Sequence, residues 1–132
     1  MFQQMRDGPP KKRRDGLIAD AERAVGSLAE MSIDLRACAV LGPDGELLAA
    51  SDPGEWGALA ASLWSAAEVQ GRPRPIQVHV ATEGGEVFAL RTASASAVAV
   101  SARFALASLM FCDLRAALRG LDGPGSENGG AD

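Results

Sequence analysis

The sequence contains no tyrosine, a single histidine, two cysteines and only 5% aromatic residues. This shortage narrows the chemistry on offer. Covalent catalysis needs a nucleophile, a base and a group that orients the base, and neither cysteine nor any serine has a base near it in sequence. His79 lies on an alternating apolar stretch between valines. It reads as a structural histidine on a sheet face, and with two distant cysteines and scattered carboxylates it forms a poor zinc ligand set. Asp44 and Glu46 fall in a turn, Asp52 and Glu55 at a helix start, where acids serve the local backbone. The expectation is a protein that is not an enzyme, with no cofactor and no metal. Cys38 and Cys112 lack CxxC spacing and read as buried, reduced thiols, as in a cytoplasmic protein.

Other features are scarce as well. The N-terminal stretch MFQQMRDGPPKKRRDG has no apolar core after its charges, so no export signal is expected. The most apolar window, residues 93–112, is interrupted by Arg103 and several serines and changes period partway, which argues against membrane insertion. A net charge of −4 gives no bulk attraction to nucleic acid. Basic character is local: Lys11, Lys12, Arg13 and Arg14 form one cluster, read as a solvated arm that offers an electrostatic contact of its own. Arginine otherwise replaces lysine, and alanine and glycine abound, as in products of GC-rich bacterial genomes.

What remains is a hydrophobic content of 47% in 132 residues, enough for one core. Three segments are expected: a flexible arm over 1–14, a domain over 15–121 and a disordered, glycine-rich acidic tail over 122–132. Asp15 is placed to cap a helix over 16–31 with one apolar face. LRACAVL and ELLAAS flank Gly42-Pro43-Asp44-Gly45, a hairpin signature. Both strands are apolar at nearly every position, as where helices lie on both sides. Asp52-Pro53-Gly54 leads into a second helix over 55–70. One broad arc of it carries Trp56, Leu59, Leu63 and Trp64, and the opposite side is small and uncharged, with Ala58, Ala61, Ser62 and Ser65. After Arg72-Pro73-Arg74-Pro75 comes a meander of three strands, 76–83, 86–92 and 97–103, in which Ile76, Val78 and Val80 alternate with polar or small residues. The Gly84-Gly85 pair joins strand to strand, so it is a hairpin turn rather than a phosphate loop. A last helix over 104–118 has one wide apolar arc.

The order helix, hairpin, helix, meander, helix, with the stretches ACAVLGPDGELLAAS and VATEGGEVFAL, resembles the Roadblock/dynein light-chain superfamily, in particular its bacterial branch of small-GTPase regulators. The likeness covers residues 16–121. It implies an α+β fold, α-ββ-α-βββ-α. The five-stranded antiparallel sheet would run in the order 2-1-5-4-3, with the first and last helices on one face and the middle helix on the other. It also implies a non-enzymatic homodimeric adaptor that binds a Ras-like small GTPase or a related signalling partner and modulates its nucleotide cycle. The dimer would form through the edge strand after the middle helix and through that helix.

The residues agree on separate grounds. The strand carrying Ile76, Val78 and Val80 lacks the lysines, proline or inward charges that protect an edge. Tryptophan beside it is a residue type enriched where partners meet. The expected interface therefore comprises Trp56, Leu59, Ala61, Leu63, Trp64, Ser65, Ile76, Val78 and Val80. Two arrangements stay open: the tryptophans cover this chain's own sheet and the Ala/Ser side meets the partner, or the tryptophans meet it. The alternative function is a profilin-like or PAS-like small-molecule sensor.

Overall fold

A computed structural model of the chain describes the backbone of residues 11–131 and the side chains of residues 14–121. Among these are helix α1 (Lys11–Met31), strands β1 (Leu35–Leu41) and β2 (Leu47–Ala50), helix α2 (Trp56–Ala67), strands β3 (Gln77–Ala81), β4 (Glu86–Arg91) and β5 (Ser96–Ser101), and helix α3 (Ala107–Ala131). The strands form one sheet in the order β2-β1-β5-β4-β3, every neighbouring pair antiparallel. The α+β order and the 2-1-5-4-3 sheet are as the sequence and its resemblance led us to expect.

The alternation in β1 explains the layers. Cys38 and Val40 point to the side of α1 and α3, where they join Leu28, Phe88, Leu114 and Leu118 in one cluster. Ala39 and Leu41 point the other way, against Trp56, Ala60 and Leu63 of α2. A strand apolar on both faces thus holds helices on both faces, and each large side chain so buried contributes about 1.5–3 kcal/mol. The β1–β2 hairpin closes as its turn chemistry requires: Gly42 N–H donates to Glu46 O at 2.8 Å, and Gly45 adopts φ +89°. In the β3–β4 loop only one of the two glycines needs its freedom. Gly85 has φ +156°, and a Cβ there would lie 2.4 Å from the Ser101 carbonyl oxygen.

Three boundaries differ from the sequence reading. The first helix begins at Lys11, so residues 11–14 are helical and Asp15 lies inside the helix instead of capping it. Lys and Arg are good helix formers, and charge alone does not interrupt a helix. Residues 1–10 of the expected arm, and the side chains of Lys11, Lys12 and Arg13, lie outside the described residues. The backbone of α3 continues as helix to Ala131, across the stretch expected as a separate tail. Leu121 is the last described core residue; apolar anchors decide where a helix packs, whereas propagation needs only one backbone bond per residue. Phe104, expected on the apolar arc of this helix, precedes it in a left-handed turn at φ 67° and is exposed. Cys38 is buried, its thiol pushed up by loss of water, with Ser51 pulling partly the other way. Cys112 faces outward, against expectation. It follows the buried pair Met110 and Phe111, and that step around the helix turns it off the core face.

Candidate interaction surface

β3 pairs with β4 alone, so its other side is a free edge. The parity of the ladder says which groups that edge presents. Thr82 N–H donates to Gly85 O at 2.8 Å and Arg91 N–H to Ile76 O at 2.9 Å. In an antiparallel pair bonded and non-bonded positions alternate. Residues 76, 78, 80 and 82 therefore turn their backbone groups toward β4, and Gln77, His79 and Ala81 turn theirs outward.

The side chains of β3 alternate across the sheet. Val78 packs in the α2 cluster, half-buried, while Val80 on the same face is 39% exposed and Ile76 is 59% exposed. Trp56 and Leu63 are 6% and 8% exposed, pressed against the chain's own sheet. Trp56 Nε1 also donates to Asp52 O at 2.8 Å, holding the start of α2 where no side chain caps it. Leu59 and Trp64 sit at the border, half-buried, and Ala61 and Ser65 are exposed. Of the residues expected at an interface, then, Ala61, Ser65, Ile76 and Val80 offer open surface. Leu59, Trp64 and Val78 form its floor, and Trp56 and Leu63 support it from inside.

On the opposite face of β3 a polar network was not legible in the sequence. His79 stacks on Phe88 at 4.3 Å between ring centroids, and its Nε2 lies 2.6 Å from Glu86 Oε1. The second carboxylate oxygen of Glu86 accepts from the Phe104 N–H. This buried acid thus ties the edge strand, β4 and the turn before α3 together. The His79 hydrogen bond holds the Glu86 carboxyl below its ordinary value of 4.5, against desolvation and with help from the Phe104 N–H.

A carboxylate with a depressed folded pKa contributes stability above its unfolded pKa and loses that contribution as the pH falls through the folded value. Wild-type stability in urea should therefore exceed that of Glu86→Gln at pH 7, and the gap should close as the pH drops below 4.5. Parallel profiles from pH 7 down to about 3 would remove Glu86 from this role.

Two further arginines were missed. Arg91 ends an otherwise apolar strand, its guanidinium 4.1 Å over the Trp64 ring and its Nε donating to Pro75 O at 2.8 Å. Arg74 is close enough for its charge to act on Arg91. A cation closing an apolar strand was the available signal, but only the folded chain sets Trp64 beneath it. Of the basic cluster, Arg14 is described and exposed.

Neither a protein-family model nor a curated protein matches the sequence. Solved structures do match. A Roadblock/LC7 domain from Streptomyces avermitilis superposes with a TM-score of 0.65 at 15% identity, over 76% of this chain and 92% of that one. The chain has the Roadblock fold. MglB of Myxococcus xanthus shares it at TM-score 0.58 and 10% identity, over 86% of this chain and 90% of that one. An MglB structure with a tetrameric arrangement does so at 0.51 and 18%, over 86% and 88%. In this Roadblock fold α2 packs against the face of the sheet that includes the edge strand β3. Among the described residues no helix is long and apolar enough to cross a membrane.

Proposed function

We propose that two copies of this chain pair along β3 and pack their α2 helices together, and that the dimer is a non-enzymatic cytoplasmic platform. Its partner would be a Ras-like small GTPase or related signalling protein, whose nucleotide cycle it modulates. The observation that carries this reading is the unprotected edge. Outward backbone groups at residues 77, 79 and 81 are symmetric about His79, as antiparallel self-pairing requires. Pairing 77 with 81, 79 with 79 and 81 with 77 makes on the order of six hydrogen bonds. At about 0.5–1.5 kcal/mol net each, these supply roughly 3–9 kcal/mol before any side-chain burial.

Beside the seam, Ala61, Ser62 and Ser65 carry no charge and little bulk, so a second α2 approaches closely. The tryptophans cover their own sheet and the Ala/Ser side meets the partner. Kinship in fold with Roadblock domains, including an MglB of tetrameric arrangement, supports self-association. The GTPase assignment rests on the family resemblance. Size-exclusion chromatography with light scattering at about 50 μM should return twice the chain mass of 13.6 kDa. A monomer at that concentration would remove the seam, and the platform with it.

A further inference from the structure

Where the turn at residues 42–45 meets the turn at residues 92–95, α2 passes across and leaves a cleft of about 290 Å³. Small residues shape it: Gly42, Gly45, Gly57 and Ala61 line the walls, and bulk comes chiefly from Trp64 and the two arginines, Arg74 and Arg91. The state of Arg91 is unusual. One guanidinium nitrogen is spent on the Pro75 carbonyl, the plane lies on Trp64, and Nη2 is buried without a hydrogen-bond partner.

Among the described residues the arginine–carboxylate ion pair is Arg23 with Asp20, so neither cleft arginine is in one. Loss of water lowers the Arg91 pKa from its ordinary value, the charge of Arg74 adds to this, and Glu68 opposes it without pairing. Asp44 stands on the facing turn, likewise without an ion pair to either arginine. Two like charges held together, one of them desolvated and under-bonded, raise the energy of the free protein. An anion between them offsets the repulsion, and stacking on Trp64 holds in place the Arg91 guanidinium that lines the cleft.

We propose that this cleft binds a small-molecule oxyanion, a phosphate or a carboxylate, with Arg74 and Arg91 as its charge partners and Trp64 as the plate that fixes Arg91. The volume is near the lower limit of small-ligand sites, and the cleft is concave, unlike the flat edge of β3. Ala61 and Trp64 border the proposed α2 contact as well, but the charge partners Arg74 and Arg91 are not among the seam residues, so loss of anion binding and loss of the dimer are read separately.

The test is calorimetric titration of the full chain at physiological ionic strength with pyrophosphate and, separately, citrate, following Trp fluorescence in parallel. Saturable binding of at least one anion is expected, and the arm that binds more tightly names the phosphate or the carboxylate source. Arg74→Gln, an exposed position where folding is not at stake, should weaken binding at least about tenfold. Arg91→Lys should do likewise, since it keeps the charge and loses the stacked fork. Arg119→Gln, on exposed surface of α3, should leave binding unchanged. Absence of binding by both anions up to about 10 mM, or equal binding by wild type and Arg74→Gln, overturns the proposal.

Discussion

Replacing Ala81 with proline is expected to convert the proposed dimer into a monomer while leaving the fold intact. The Ala81 N–H points away from β4, so its loss breaks no bond within the chain, and proline is tolerated on an edge strand at such a position. In the symmetric seam the same change removes the donor of residue 81 in both copies and sets two rings where the partner strand must lie. Two lost bonds, each leaving an acceptor behind, cost about 2–6 kcal/mol. That is a rise of roughly thirtyfold to twenty-five-thousandfold in the dissociation constant.

Thr82→Pro is the matched control, one residue away and opposite in parity. It deletes the Thr82 N–H bond to Gly85 O and disturbs the side-chain bonds of Thr82 in the same turn. It should lower the thermal midpoint, whereas Ala81→Pro should change folding stability by less than about 1 kcal/mol. The two measurements are light scattering and thermal unfolding monitored by circular dichroism. A dimer that survives Ala81→Pro with unchanged affinity would mean that the copies do not meet along β3.

The second large effect concerns the core beneath that edge. Phe88→Ala should destabilise the chain by about 3–5 kcal/mol, the range for deleting a fully buried aromatic ring. Phe88 is completely buried, meets Phe111 of α3 edge to face at 5.4 Å and carries the His79 ring on its other side. Truncation opens a cavity between sheet and α3 and removes the platform on which the edge strand's histidine rests. Because a domain of this size has about 5–15 kcal/mol in total, the loss is about a fifth of its stability or more. Urea unfolding at neutral pH reads it directly, and a loss under about 1 kcal/mol would contradict the packing described. The damage should also reach β3: backbone amides of residues 78 and 80 should exchange faster in the variant, since the strand keeps its ladder but loses its anchor.

The legible parts of this protein were those set by a few adjacent residues. Alternation in 76–80 marks a strand, Pro43-Asp44-Gly45 a tight turn, and the apolar positions of α1 one buried face, because each depends on backbone geometry within a turn or two. The order of those elements was then enough for the resemblance that implied the sheet. The Ala/Ser side of α2 was equally visible, although which side of that helix packs on the sheet was not. Both tryptophans satisfy the same helical spacing, and only the position of the sheet shows that Trp56 is enclosed and Trp64 stands at the border.

Taken by itself, the amino-acid sequence determined the element order, the two-sided character of β1, the turns and the lack of an edge-protecting charge in β3. Tertiary structure alone decided the rest: that Glu86 is buried between His79 and Phe104, that Arg91 lies on Trp64 above a cleft shared with Arg74, and that Cys112 faces water. The division has one physical cause. Backbone preference and periodicity are local, but the energy of a charge or polar group depends on what the fold brings beside it from distant positions.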